Sequence, residues 1–248
     1  MKIVEIIFSP TGGTRKVADL ISGHWSEEIV KIDLCDAKDN FSGYEIAKED
    51  RVLIAMPSFG GRAPLTAIER LKKIRGNGAD AVLVCVYGNR AYEDTLAEME
   101  DAAKECGFQV IAGVAAVAEH SILPQYAAGR PDQSDERQLA DFAEQIAGQT
   151  GTVFTLPGNR PYRKYGGVGL VPKPGKNCIR CGLCVKKCPV QAIDPADFTA
   201  DSKTCISCMR CVKRCPAGAR KVNGVMVSAA AVALKKACSQ RKENELFL

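Results

Sequence analysis

Several common signatures are missing from this 248-residue chain, and each absence closes a route. No apolar run approaches the roughly 20 residues needed to span a bilayer, and the most apolar late stretch, residues 224–234, is about half that long. No membrane span is therefore expected. The opening run Met1–Phe8 is too short for a signal peptide and has no small-residue cleavage site, so it reads as a first strand and the chain as cytoplasmic. The nucleotide fingerprints GxGxxG and GK[ST] do not occur after that strand, which argues against a dinucleotide fold and a Walker loop. Aromatic residues are only 6% of the chain and are sparse in its second half beyond Tyr162 and Tyr165. A surface that stacks nucleic-acid bases needs more of them.

Acidic residues are also scarce in one place. Residues 151–248 hold 5 Asp and Glu against 18 Lys and Arg, whereas residues 1–150 hold 24 against 16. A basic half ordinarily points to an anionic partner, but nine of the 12 cysteines lie in that same half and change the reading. Cysteines at metal spacing, in a chain read as having no export signal, indicate a reducing compartment rather than a disulfide framework.

The length suits a domain of about 150 residues followed by a smaller one. In the first half, β-rich runs alternate with amphipathic ones. Strands are predicted at Lys2–Phe8, Ile29–Leu34, Arg51–Met56, Ala81–Val86 and Gln109–Val117, and helices at Thr14–Ser22, Pro64–Ile74, Tyr92–Cys106 and Ser134–Ala147. Strands that are continuously apolar belong in a parallel sheet covered on both faces. The expected architecture is α/β, a doubly wound five-stranded parallel sheet of order 2-1-3-4-5. Residues 150–176, rich in Gly, Pro and basic side chains, read as a linker running over the surface. The domain plan is 1–149, linker 150–176, a small α+β unit at 177–223 and a helical tail at 224–248.

The strongest signal is a repeat with a period of 27 residues. Cys178-x-x-Cys181-x-x-Cys184-x-x-x-Cys188-Pro189 is echoed by Cys205-x-x-Cys208-x-x-Cys211-x-x-x-Cys215-Pro216. CxxC pairs also build tetrahedral zinc sites, but three closely spaced cysteines plus a Cys-Pro, given twice, fit a [4Fe–4S] cubane better. Residues 177–221 resemble the two-cluster bacterial ferredoxins. In such paired runs the fourth cysteine ligates the other cluster, which groups Cys178, Cys181, Cys184 and Cys215 for one and Cys205, Cys208, Cys211 and Cys188 for the other. The two oxidised clusters with their thiolates would offset about four of the positive charges. Arg180, Lys186, Lys187, Arg210, Lys213 and Arg214 beside the ligands either tune the clusters or form a solvated rim.

Between the first strand and the first helix lies Ser9-Pro10-Thr11-Gly12-Gly13-Thr14. Three hydroxyls, two glycines and a helix N-terminus suit one phosphate monoester. In Ser9, Thr11, Gly12, Gly13 and Thr14 the half-chain resembles the flavodoxins, whose phosphate loop reads [ST]-x-T-G-x-T. That resemblance implies FMN, with the ring at the strand ends beside the loops Pro57-Ser58-Phe59-Gly60-Gly61-Arg62 and Tyr87-Gly88-Asn89-Arg90-Ala91-Tyr92. Phe59 and Tyr87 are the expected stacking residues, with Tyr92 in reserve. Flavodoxin loops here are typically acidic; Arg62 and Arg90 instead would favour an anionic reduced flavin. His120, after the fifth strand, reads as a packing residue more readily than a proton carrier. Cys35, Cys85, Cys106 and Cys238 read as structural thiols.

Taken whole, the chain resembles the flavodoxin–ferredoxin fusions called ferrodoxins. This implies an electron-transfer protein with FMN and two [4Fe–4S] clusters, serving redox partner proteins such as ferredoxin-dependent donors or acceptors and converting between one- and two-electron steps. A flavin-dependent reductase of a quinone or disulfide, fed by the clusters, is the alternative. Nucleic acid is not an expected partner.

Overall fold

The computed structural model describes residues 1–149, 155–166 and 169–248. The rest of the predicted linker, 150–154 and 167–168, lies outside the described residues.

Five parallel strands, β1 (Ile3–Ile7), β2 (Ile29–Asp33), β3 (Arg51–Pro57), β4 (Asp80–Tyr87) and β5 (Gln109–Val117), form a sheet in the order β2-β1-β3-β4-β5. This is the flavodoxin-like, doubly wound order, with its topological switch between β1 and β3. Helices α1 (Gly13–Ser22), α2 (Leu65–Leu71), α3 (Thr95–Glu105) and α4 (Gln133–Ala147) supply the crossovers and the return. One apolar cluster lies on the α2/α3 side, built on Ile6, Phe8, Ile54, Met56, Leu83 and Met99. The other lies under α1 and α4, built on Ile7, Val17, Ile21, Val84, Val114 and Leu139. Helix α4 starts where the chain supplies a reciprocal cap: Asp132 accepts from the N–H groups of Ser134 and Asp135, and the Asp135 carboxylate accepts from the Asp132 N–H.

A fully buried charge interrupts β1. Glu5 accepts from Ser22 Oγ at 2.6 Å and pairs with Arg15 at 3.2 Å and Lys31 at 3.4 Å, so its burial is compensated from α1 and β2.

After α4 the chain runs as a strap along α3. Leu156 enters the α2/α3-side core, and its side chain fills the space beside Gly113 of β5. Farther on, Arg160 pairs with Asp101 and Glu100, Asn159 and the Arg163 N–H bind Asp94, and the hydroxyls of Tyr162 and Tyr165 donate to Asp101 and Glu98. The stretch expected to run freely over the surface is instead bonded to α3.

The cysteine-rich unit follows. It consists of β6 (Lys173–Pro174), α5 (Leu183–Lys186), α6 (Arg210–Lys213) and β7 (Arg220–Lys221), with β6 and β7 antiparallel. Helix α7 (Gly224–Cys238), capped by Asn223, then leads to β8 (Glu245–Phe247), which adds to β5 antiparallel as a sixth strand. Nothing in the chain's pattern marks β8, since three residues carry too little periodicity to read. No helix among the described residues is long and apolar enough to cross a membrane.

Candidate functional site

The 27-residue repeat is written into the backbone. Arg180 and Ser207 adopt φ 53° and 52°, Gly182 and Met209 φ 73° and 60°, and Gln191 and Gly218 φ 51° and 56°. Left-handed residues at matched positions give each loop the kind of turn that favours an anion. Beyond each Cys-Pro, an N–H donates to the cysteine sulfur: Ala192 to Cys188 Sγ at 3.3 Å, and Ala219 to Cys215 Sγ at 3.2 Å.

The eight cysteines line two separate cavities. One is lined by Cys205, Cys208, Cys211 and Cys188 with Ile193, Ile206 and Met209. The other is lined by Cys178, Cys181, Cys184 and Cys215 with Ile179, Phe198 and Arg220. Each takes three cysteines from one run and the fourth from the other. Among the described residues, no three His, Cys, Asp or Glu side chains converge as they would around a single metal ion. The donor set, four cysteine sulfurs to each cavity with a backbone N–H on Cys188 in one and on Cys215 in the other, fits a cubane cluster.

The cavities differ in their surroundings. The Cys188 cavity abuts the sheet domain: Arg70 joins the Leu34 and Pro189 carbonyls at 2.6 Å each, and Ile206 packs against the core. Arg210, in the cavity wall, donates to the Ser9 carbonyl at 3.3 Å and lies 3.7 Å from Asp33. The Cys178 cavity faces outward, with Cys181 exposed and Ile179 65% exposed. We call them the proximal and distal sites. Arg210 was noted in the sequence only as a cluster neighbour; its reach to the first half is a product of tertiary placement that no local pattern encodes.

At the other site, Gly12 takes φ 103° and lets the chain turn from β1 into α1. Ser9 Oγ accepts from the Arg15 N–H at 3.0 Å. The N–H groups of Gly13 and Thr14 have no acceptor among the described residues. Open N–H groups at a helix start, beside the Thr11 and Thr14 hydroxyls, fit a phosphate.

The two ring-side loops are laced together. Phe59 to Arg62 closes a tight turn through reciprocal backbone bonds, with Gly60 and Gly61 at φ 63° and 85°. A Cβ on Gly61 would lie 1.7 Å from the Glu93 carboxylate. Thr95 Oγ1 donates to the Tyr92 carbonyl at 2.6 Å and accepts from Ser58 Oγ at 2.8 Å. Pro57 ends β3, and Gly88 lies under the His120 ring, so close that a Cβ there would clash.

Several side chains expected at the ring are otherwise engaged. Tyr87 is buried in the core, its ring centroid 5.3 Å from that of Tyr92. The Asn89 amide donates to the Cys238 and Gln240 carbonyls and accepts from the Lys242 N–H, so the tail uses it fully. Phe59 and Tyr92 remain as partly exposed aromatics. The two arginines are not free cations either. Arg62 forms a two-pronged pair with Glu98 at 2.8 and 2.7 Å and stacks against Tyr165 and Tyr162, while Arg90 binds Glu93 through both Nη atoms. Their charge is balanced locally, which removes the reason to expect a strong cationic effect on a flavin. His120 Nδ1 accepts from the Ile122 and Leu123 N–H groups, and burial, with Arg90 adding to it, keeps the imidazole below its ordinary pKa. It is a neutral packing group at pH 7. Cys85 is fully buried, and burial pushes the Cys35 thiol up to about 12, so neither is a reactive thiol.

Residues 177–219 match the family model for the 4Fe-4S dicluster domain. No curated protein matches the chain. Solved structures similar to it include a flavodoxin from Streptococcus pneumoniae TIGR4 (19% identity, TM-score 0.42, covering 59% of this chain and 96% of that one). Others are flavodoxin 2 from Bacillus cereus (18%, 0.41, 59% and 98%) and the rubredoxin oxygen:oxidoreductase of Desulfovibrio gigas (15%, 0.43, 59% and 35%). The match to the 4Fe-4S dicluster domain assigns a redox, electron-transfer role to this chain.

Proposed function

We propose that this chain carries electrons between redox partner proteins by way of two [4Fe–4S] clusters and one FMN. The observation that carries the reading is the pair of cysteine-lined cavities, one exposed and the other joined through Arg210 to the loop that fits a phosphate. Each cluster supplies a one-electron step and the flavin two, so the set can convert between one- and two-electron traffic.

The chain's own residues divide the work. Cys178, Cys181, Cys184 and Cys215 hold the distal cluster, where exposed Cys181 and Ile179 give an external protein its closest approach. Cys205, Cys208, Cys211 and Cys188 hold the proximal one behind apolar Ile193, Ile206 and Met209, which exclude water. Thr11, Gly12, Gly13 and Thr14 grip the FMN phosphate, and Arg210 lends positive charge to that loop from the cluster side. Pro57 to Gly61 and Tyr92 flank the ring.

Anaerobic purification followed by counting iron, sulfide and flavin tests the cofactors; eight irons and one FMN per chain are expected of two cubanes and one phosphate site. Rapid mixing with a one-electron donor tests the route. Cluster bleaching followed by flavin bleaching supports it, and a flavin that never follows the clusters overturns it.

A further inference from the structure

Four arginines are buried among the described residues: Arg62, Arg130, Arg210 and Arg220. The first three have carboxylate neighbours, Glu98, Asp135 and Asp33. Arg220, only 2% exposed, has none among the described residues. Its Nη1 donates to the Phe198 carbonyl at 2.8 Å and its Nη2 to the Pro172 carbonyl at 2.6 Å; its Nε is buried without a partner. A buried cation whose contacts are neutral carbonyls is costly unless an anion faces it.

The groups facing it are cysteines of both runs. Nη1 lies 3.8 Å from Cys184 Sγ, and the side chain lines the distal cavity together with Cys215. On the proximal side, its Nη2 holds the carbonyl of Pro172, a residue that lines that cavity. The guanidinium therefore stands within electrostatic reach of both cavities.

The repeat supplies an internal control. One period of 27 residues before Arg220 stands Ile193, buried, in the wall of the proximal cavity. The two positions are equivalent in the chain, Ala192-Ile193 against Ala219-Arg220, and each follows the N–H donor to the Cys-Pro sulfur. One half of the repeat accommodates an aliphatic side chain there, so this backbone does not require a charge.

We propose that Arg220 is the shared counter-ion of the two cluster sites. Reduction adds negative charge to a cluster, and a fixed neighbouring cation stabilises the reduced state, so Arg220 raises both reduction potentials. The closer distal site feels it more.

The inference rests on the reading that both cavities hold [4Fe–4S] clusters; a wild-type chain purified without iron and sulfide would remove that reading before Arg220 is tested. The test is an anaerobic redox titration of the full chain, followed by electron paramagnetic resonance, in wild type, Arg220→Ile and Arg220→Lys. Arg220→Ile copies the repeat partner and removes the charge; both potentials are expected to move to more negative values. Arg220→Lys keeps the charge and is expected to keep both near wild type. If both clusters assemble in Arg220→Ile and one or both potentials stay put, the shared role is overturned. Should Arg220→Ile not assemble two clusters, Arg220→Lys decides. Two clusters at wild-type potentials support the charge, and failure of Arg220→Lys to assemble them assigns the residue to packing and hydrogen bonding and overturns the proposal.

Discussion

The sheet domain and the cysteine-rich unit are held together by different means. The sheet domain buries two continuous apolar layers, one on each side of five strands, with side chains such as Phe8, Ile54, Leu71 and Leu83 fully inaccessible. In the cysteine-rich unit the buried apolar side chains are few, chiefly Ala192, Ile193, Phe198, Met209 and Ala219, and its middle is lined by the eight cysteines. Burial can fold the first by itself. The second has little apolar surface of its own, and on the proposed function the clusters its sulfurs hold supply much of its folding free energy. The same contrast appears in charge, for Arg160, Arg163, Arg210 and Arg241 of the second half each pair with carboxylates of the first. The opposite charges of the two halves are spent at their junctions.

The most severe way to break the comparison is to remove iron. In the apo chain, amide exchange of residues 177–221 is expected to approach unprotected rates while β1, β3 and β4 keep their protection; equal loss in both units would contradict the contrast. Next comes a single ligand. Cys188→Ala lies in the first run but lines the cavity of the second, so iron should fall by about half and the Cys178 cluster should persist, as read by iron content and paramagnetic resonance. Loss of the Cys178 cluster instead would reverse the grouping.

A cut confined to the sheet domain sharpens the comparison from the other side. Glu98→Ala leaves Arg62 buried between Tyr162 and Tyr165 without its anion, and should cost about 3 kcal/mol in denaturant unfolding while leaving iron content unchanged. At the phosphate loop, Thr14→Val removes one hydroxyl and is expected to weaken FMN roughly tenfold, with riboflavin unaffected, by flavin fluorescence titration. Equal loss for both ligands would move the phosphate elsewhere.

The smallest effect concerns pH. The bond from Arg241, together with the helix-capping N–H groups, holds the Asp132 carboxyl well below the usual aspartate value. A depressed carboxylate pKa contributes stability that is complete above the unfolded value of about 3.9 and is lost as pH falls through the folded one. Docking of the tail should thus be constant from pH 7 to about 5 and loosen below 4, seen as faster amide exchange in β8. A tail that loosens already at pH 6 would point to other groups.

Much of this was legible in the sequence, and for identifiable reasons. Strand β5 spans Gln109–Val117 as read, and β1 to β4 fall within one or two residues of their predicted ends, because buried parallel strands announce themselves as apolar runs. Helix α2 is shorter than expected, Leu65–Leu71 rather than Pro64–Ile74, with Ile74 beyond it still buried. The eight cysteines of the two runs carried their own spacing into the two cavities. What escaped is whatever depends on distant partners. Arg62 looked like a free cation because its carboxylate is on α3, and Asn89 looked available because the tail that binds it lies some 150 positions away in the chain, whereas Arg90 has its partner Glu93 only three residues on. Ile193 and Arg220 could have been paired by laying the repeat on itself, which is a comparison within the sequence rather than along it.

The short strand β8 has one more consequence. Because Glu245–Phe247 returns to β5, and the strap at 155–166 leaves along α3, the cysteine-rich unit is fastened to the sheet domain at both its entry and its exit. In topological terms it is an insertion held in a closed loop, not a pendant on a flexible leash. A leash would let the proximal site and the phosphate loop sample many separations, so that electron passage would depend on chance encounters. A loop anchored at both ends fixes that separation in the fold itself, and on the proposed route the rate between the two sites becomes a property of the structure rather than of linker length.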